Sequence, residues 1–527
     1  MVRLQEGLRK QFPEAYHKLL TFPELRPAQK KPKLAGPSQE DPMENMSRRS
    51  FVRRTLVTAS GTGWLSRAAW GNIPTNLKVI GKVRPRPAAR ISASPLGIGF
   101  ETLDRKMFDP EPVYPFLADL GAKWARVQTG WCRCEPAKGK YDFRWLDAIV
   151  NRLRTMGIQP WFNLGYGNQL YTPEATNQFA VGWAPLWNEE ARQGWLRFVR
   201  ALAEHFRDRV RHWEIWNEPN HKNFWKPHKA NAAEYVKFVR MTAPVIRQNV
   251  PGAKIVGPAV WSPTYFKACF DSGLGELIDK VSYHWYRASP ERKYEAAIAG
   301  CRTVLAEHNL DLPLWQGESG CPSQTSGIGA MNTYPWTEAL QARWVVRRTL
   351  SDLRLRVELS SYFHAVDMLY PNPDGTPDGR LNSKGLIRRS TYTPKPSYFA
   401  YQCLCALFDA ETHWEERPLE ISAADDLPLD QSSLLKAAFV RQGRPLYAYW
   451  LPADPRKELH PRTVDLKIPD ASDASIETPV LIDPLTATVH GLTSARRSNR
   501  CWRIPAAPLS DCPLIITDRS AVELAIP

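Results

Sequence analysis

The chain lacks any run approaching the ~20 apolar residues that a membrane-spanning helix requires, so no segment of it reads as crossing a bilayer. Paired metal hooks are missing too. Its nine cysteines include C-x-C only at Cys132/Cys134 and Cys403/Cys405, without a CxxC pair, which argues against a structural zinc site. The 11 histidines form no H-E-x-x-H, so a metal-dependent esterase, one competing class, has no ligand motif here. An odd number of cysteines leaves at least one thiol unpaired, while a bridge such as Cys501–Cys512 stays open if the chain is exported. Basic charge is plentiful only at the start. Residues 1–90 hold 18 Lys and Arg against 6 Asp and Glu, which is 12 of the net +16. The remainder is close to neutral and carries no basic stripe, which excludes nucleic acid as the expected partner.

That basic start has an order of its own. "SRRSFVR" (47–53) precedes "TLVTASGTGWLS", a weakly apolar stretch, and small residues at Ser66/Ala68 or Ala69/Gly71 suit cleavage. The arrangement resembles a twin-arginine export signal, over 46–71, and implies a periplasmic or extracellular protein. The alternative is an ordinary basic tail. About 45 residues precede the arginines; 1–45 are rich in Pro, Lys and Gln and read as disordered or untranslated, with Met43 or Met46 as the start. Residues 72–90 read as a linker.

From residue 91 short apolar runs alternate with amphipathic stretches. The runs are "SPLGIGFE", "WARVQTG", "QPWFNLGYG", "HWEIWNEPN", "KIVGPAVW", "KVSYHWY", "LPLWQGESG" and "LSSYFHAV". Between them, segments such as "EEARQGWLRFVRALAEHFRD" place apolar residues three and four apart, as a helix with one buried face does. Eight strand–helix repeats over 91–410 predict a (β/α)8 TIM barrel, closed by a helix at 395–409. Beyond it, 411–527 changes to short β runs punctuated by Pro, Asp and Gly, the pattern of a small C-terminal antiparallel β-sandwich. With 43% hydrophobic and 24% charged residues, the bulk reads as globular.

In such a barrel, polar residues at strand C-terminal ends line the active site. "HWEIWNEPN" closes the fourth strand on Asn217 and Glu218, with Pro219 unable to continue a ladder. "LPLWQGESG" closes the seventh on Glu318. Two carboxylates converging on a barrel mouth suit glycoside hydrolysis, which needs a proton donor for the leaving oxygen and a second carboxylate. The bland alternative is that Asn217 caps a following helix.

These motifs resemble the retaining glycosidases of clan GH-A, and "WEIWNEPN" is most similar to glycoside hydrolase family 39, the β-xylosidase and α-L-iduronidase type. The resemblance implies Glu218 as acid/base, Glu318 as nucleophile and Asn217 as partner of the sugar 2-OH. It also implies that Arg126 in "WARVQ" keeps the nucleophile ionised, since a neighbouring cation lowers a carboxyl pKa. His284 and Tyr286 in "YHWY" resemble the His-x-Tyr of family 5 relatives. Two features depart from the pattern. The eighth strand ends in "SSYFHAV" rather than a tryptophan, leaving Phe363, His364 or a loop Trp to lie under the sugar. "QGESG" differs from the family's usual nucleophile string, which leaves the exact sugar open.

Tryptophan, 20 residues of it, fits sugar stacking. Trp131, Trp225 and Trp285 are expected to touch substrate, and Trp183, Trp261 and Trp336 also fall near strand ends. The "NPDGTPDGRLN" loop (372–382) has calcium-loop spacing without the bidentate Glu and reads as a double turn. No cofactor and no metal are expected, and the expected partner is a carbohydrate. The remaining competitor is a carbohydrate-binding barrel that has lost its catalysis.

Overall fold

The structure, a computed structural model, describes residues 77–325, 328–371, 377–425, 428–457, 462–470 and 475–525. The leader reading over 1–71, the first residues of the expected linker and the first five residues of the 372–382 loop lie outside them. After a first strand β1 (Lys78–Lys82), eight parallel strands close a barrel: β2 (Leu96–Gly99), β3 (Trp124–Gln128), β4 (Gln159–Leu164), β5 (His212–Ile215), β6 (Lys254–Pro258), β7 (Lys280–His284), β8 (Leu314–Ser319) and β9 (Leu359–Tyr362). Each falls within one of the eight expected runs. β9 pairs back onto β2, so no edge is left open.

The helices between them follow from local sequence. In α4 (Glu189–Phe206), the Asn188 side chain caps the backbone N–H groups of Glu190 and Ala191, and Glu189 and Glu190 favour the positive end of the helix dipole. Trp195, Phe198, Val199, Leu202 and Phe206 then recur three or four apart and are buried against the barrel. α9 (Pro396–Leu407) closes the barrel as expected, its Tyr401 hydroxyl donating to the Gly97 carbonyl of β2.

Inside the barrel the strands are layered. Trp161, Val256, Trp315 and Leu359 form a cluster separate from the main core and plug its lower half. Above it, towards the strand C-termini, the inward residues turn polar: Arg126, Asn163, Glu214 and Ser282 are all fully buried. After β9 a hairpin of β10 (Met368–Pro371) and β11 (Pro377–Asn382) flanks the mouth, so the second half of the expected double turn is a strand paired with the residues just before the loop.

The C-terminal region is the expected sandwich. One sheet runs in the order β1-β18-β17-β21-β15-β14-β12, the other β13-β16-β20-β19. The strands are β12 (Thr412–Trp414), β13 (Glu420–Ala423), β14 (Leu435–Arg441), β15 (Arg444–Trp450), β16 (Arg462–Pro469), β17 (Pro479–Asp483), β18 (Thr488–Gly491), β19 (Arg496–Ser498), β20 (Cys501–Leu509) and β21 (Leu514–Asp518). Alternation along β15 assigns its two faces. Leu446, Ala448 and Trp450 join the barrel's core, while Tyr447 and Tyr449 join the core between the two sheets. Arg347, on the barrel helix α8 (Glu338–Arg354), pairs with Asp511 of the sandwich at 3.2 Å and with Glu291 at 2.8 Å.

One expectation needs correction. Residues 78–82 are not linker: β1 pairs antiparallel with β18 and is an edge strand of the larger sheet. The Cys501–Cys512 bridge that the sequence left open is not formed: all nine cysteines carry free thiols. Cys501 opens β20 and Cys512 lies in the turn before β21, and each thiol is buried separately.

Candidate active site

The barrel mouth is organised around one guanidinium. Arg126, on β3, is wholly buried. Its Nε and Nη2 donate to Glu214 at 2.7 and 2.5 Å, and Nη2 also donates to Asn217 Oδ1 at 2.8 Å. Its Nη1 reaches Glu101 Oε1 at 3.1 Å and Glu318 Oε2 at 2.8 Å. Glu214 accepts further bonds from Asn163 and Ser282, so it anchors the cation from below. Glu318 stands above, at the C-terminal end of β8.

The backbone explains how "WNEP" presents its side chains. β5 ends at Ile215, well before Pro219, so the proline is not what stops it. Trp216 and Glu218 both take positive φ, 68° and 45°, conformations that cost a non-glycine residue energy. This double reversal turns Asn217 down onto Arg126, where its Nδ2 also donates to the Tyr166 hydroxyl at 3.0 Å. It turns Glu218 across the mouth, where Oε1 meets His284 Nδ1 at 3.0 Å.

His284 bridges the two glutamates, its Nδ1 lying 3.9 Å from Glu318 Oε2. Glu218, His284 and Glu318 each bring one ligand-type atom within 4.8 Å of the others, and among the described residues no other three metal-ligating groups converge so. The Tyr286 hydroxyl donates to the other Glu318 oxygen at 2.7 Å. Burial acts to raise the Glu318 carboxyl, but His284, Arg126, the Tyr286 hydroxyl and Lys384 outweigh it and hold its pKa below the usual carboxylate range. Lys384 is itself buried, and desolvation pushes it down to about 8. Burial has the opposite result at Glu101, which is pushed up to about 8 despite Arg126.

A cleft of about 290 Å³ opens beside Glu318, lined by Glu101, Arg105, Asn217 and Glu318 and by the rings of Tyr166, Phe179, Phe224, Phe363 and Tyr370. A larger cavity, about 570 Å³, lies at the opposite end of the barrel between strand starts and the sandwich, away from the carboxylate pair.

The structure therefore brings Glu218, Glu318, Asn217, Arg126, His284 and Tyr286 together and sets Phe363 in the cleft wall. His364 faces elsewhere: its Nε2 accepts from the Glu101 backbone N–H at 2.9 Å while Nδ1 lies 3.0 Å from the Val366 carbonyl. The expectations for Trp131, Trp225 and Trp285 fail. Trp131 is stacked in the core on Tyr171 and Phe198, with its N–H on Glu135. Trp225 is wholly buried among Trp187, Trp216 and Phe238. Trp285 is buried edge-on to Trp261 at 4.3 Å. Trp336 is buried too, while Trp183 and Trp261 are half-buried. A large ring gains most from full burial between strands and helices, and the cleft here takes its aromatic wall from Phe and Tyr. Sequence reading missed Glu101, Glu214, Asn163, Tyr166 and Lys384. Strand parity offered a signal for Glu214, since Trp213 and Ile215 pack outwards and the residue between them must point into the barrel. No comparable pattern marks Lys384.

Fold and site together define a (β/α)8 barrel of the glycoside hydrolase kind, with glutamates after the fourth and seventh strands. A model of Glycosyl hydrolases family 39 matches residues 126–426, more than half of the 527 residues, and the chain belongs to that family. It is 29% identical over 170 residues to a β-xylosidase of Geobacillus stearothermophilus, covering 29% of this chain and 32% of that protein. It is 26% identical over 295 residues to a β-xylosidase of Caldicellulosiruptor saccharolyticus, covering 50% and 56%. The chain thus spans a third to just over half of these curated relatives. Among solved structures, a family 39 glycoside hydrolase from Bacteroides cellulosilyticus WH2 superposes with a TM-score of 0.59 at 20% identity over 83% of this chain and 81% of the other. A monomeric β-xylosidase from Caulobacter crescentus CB15 gives 0.54 at 17% identity over 84% and 97%. These likenesses concern the fold.

Replacing Arg126 by Met should destabilise the protein by about 3–5 kcal/mol in chemical denaturation, because it strands buried Glu214 without its cation. A loss below about 1 kcal/mol would mean that the guanidinium is not what holds this layer together.

Proposed function

We propose that the protein is a retaining β-glycosidase with Glu318 as nucleophile and Glu218 as acid/base, and that β-xylosides are the first substrates to try. The observation that carries this reading is the approach of the two carboxyl groups, oxygens within 4.8 Å across one mouth. Retaining enzymes place their carboxyls about 5–5.5 Å apart, whereas inverting ones leave roughly 6.5–9.5 Å for a water. The asymmetry of partners supports the roles. Glu318 has a guanidinium and a tyrosine hydroxyl on its two oxygens and is kept ionised for attack on the anomeric carbon. Among the described residues Glu218 has only His284 as hydrogen-bond partner, which leaves it free to give a proton to the leaving oxygen and later take one from water. Asn217, with its amide orientation set by Arg126 and Tyr166, keeps one N–H for the sugar 2-OH. The β-xylosidase names of the relatives favour xylose; another relative, a β-glucosidase 1B of Phanerodontia chrysosporium, 29% identical over 109 residues, keeps glucosides in the panel. Export through the twin-arginine signal at 47–53, to the periplasm or the medium, belongs to the same proposal.

A slow 2-deoxy-2-fluoro glycoside should add its mass to the peptide carrying Glu318, and Glu318→Gln should abolish the adduct. Glu218→Ala should keep turnover on activated aryl glycosides and gain rate with azide. An inverted product by NMR would sink the mechanism, and loss of activity to a chelator would point to metal chemistry at Glu218, His284 and Glu318 instead.

Tyr286→Phe removes a donor that lowers the Glu318 pKa. That pKa should rise, and since only the ionised form attacks, the acid limb of kcat/KM should move to higher pH by roughly one unit. An unmoved limb would separate Tyr286 from the nucleophile.

Replacing Arg48 and Arg49 by Lys should trap the protein in the cytoplasm by cell fractionation. Unchanged export would remove the signal reading.

A further inference from the structure

The barrel mouth holds a third carboxyl that the double displacement does not use. Glu101 follows β2 and is 2% exposed, yet it belongs to the cleft wall. Its Oε1 and Glu318 Oε2 are bonded to the same nitrogen, Arg126 Nη1. Its Oε2 takes no hydrogen bond among the described residues, and Glu101 is one of the residues lining the cleft. Phe363 and His364 pack beside it: a Cβ at Gly99 would meet Glu101 Oε1 at 3.3 Å, His364 at 3.1 Å and Phe363 at 3.4 Å.

Three carboxyls share this one guanidinium, and they are not equally supplied with donors. Glu214 accepts from Arg126, Asn163 and Ser282. Glu318 accepts from Arg126 and Tyr286. Glu101 has a single bond, to a nitrogen it shares. If all three were ionised, Glu101 would be the least compensated buried charge, so the proton belongs there. With Oε1 committed to Arg126, that proton sits on Oε2, on a residue of the cleft wall.

We propose that Glu101 is a substrate-contacting residue of this site: held as a carboxylic acid through Oε1 on Arg126, it donates from Oε2 to a hydroxyl oxygen of the sugar lying against Glu318. The inference rests on the glycosidase reading above and adds a neutral donor on the wall beside the nucleophile. The charged groups facing Glu101 divide over that proton. Arg126 opposes it, and the charges of Glu318 and Glu214 favour it. His364, its Nε2 occupied by the Glu101 backbone N–H, is pushed down to about 4 by burial and stays neutral. Tyr286 donates to Glu318, and the Tyr370 hydroxyl accepts from Asn382. Arg105, in the same cleft wall, is engaged by Asp104 and Gln128. Burial pushes Glu101 up to about 8, so the donor is present below that pH and lost as pH rises through it.

The test uses 2,4-dinitrophenyl β-D-xyloside, β-D-glucoside and α-L-arabinofuranoside, whose leaving group needs no proton and so removes Glu218 from the alkaline limb. Wild-type kcat/KM should fall above about pH 8. Glu101→Ala should lose roughly 10- to 100-fold below that pH, the range for a lost donor in a closed site. Glu101→Gln keeps an N–H donor and cannot ionise. It should recover kcat/KM to within about 3-fold of wild type and abolish the alkaline fall. Glu101→Ala within about 2-fold of wild type, Glu101→Gln as impaired as Glu101→Ala, or an alkaline fall that survives in Glu101→Gln would each overturn the assignment. Glu318→Gln, run in parallel, separates the two readings. If it is inactive while Glu101→Ala is unaffected, only the Glu101 role fails. If it is as active as wild type, or wild type cleaves none of the three glycosides, the glycosidase reading fails and Glu101 with it.

Discussion

The site depends on one buried cation. Arg126 carries a fixed positive charge in a closed barrel, above a plug of tryptophan and aliphatic side chains where water cannot screen it. A lone guanidinium there would be very costly, so the carboxylate of Glu214 and the amide of Asn163 below it are conditions of folding. Once the cation is bound from below, its remaining N–H groups face upwards and impose order on the mouth. They fix Asn217, set Glu318 and draw in Glu101. The electrostatics of the surface groups are thus decided one layer down, by residues that a substrate does not reach.

The second constraint is backbone. A strand that ran on through residues 216–218 would send successive side chains to opposite faces. Positive φ at Trp216 and again at Glu218 breaks that alternation. Trp216 stays in the core with Trp195 and Phe238, Asn217 turns inwards and Glu218 turns across to His284. The strain is small beside the packing of Trp216 and the bonds of Asn217, which hold it in place.

Much of this was legible in the sequence because parallel barrel strands are buried on both faces and read as apolar runs bounded by polar ends. The same rule made Glu218 and Glu318 visible, and similarity to known motifs extended it to Arg126, Asn217, His284 and Tyr286. What stayed hidden has physical reasons. Glu101 and Glu214 lie inside quoted runs, but a lone carboxyl in a strand says nothing of the cation opposite, which comes from another strand. The tryptophans misled because position near a strand end does not reveal whether a ring turns to the mouth or to the helices, and Trp131, Trp225 and Trp285 turn to the helices. Lys78–Lys82 resembled a linker because its five residues begin and end in lysine, as an edge strand exposed to water can.

That edge strand has a consequence for how the molecule is made. β1 precedes the whole barrel, yet its hydrogen-bond partner, Thr488–Gly491, is about 400 residues further along the chain. At ~5–20 residues per second of synthesis, roughly 20–80 seconds separate the emergence of the two halves of this pair from a ribosome. During that interval the barrel strands can close on one another while β1 waits with its ladder groups unpaired. The larger sheet is therefore complete only after β21, which lies between β17 and β15, has emerged, and β1 joins it through β18 at its edge.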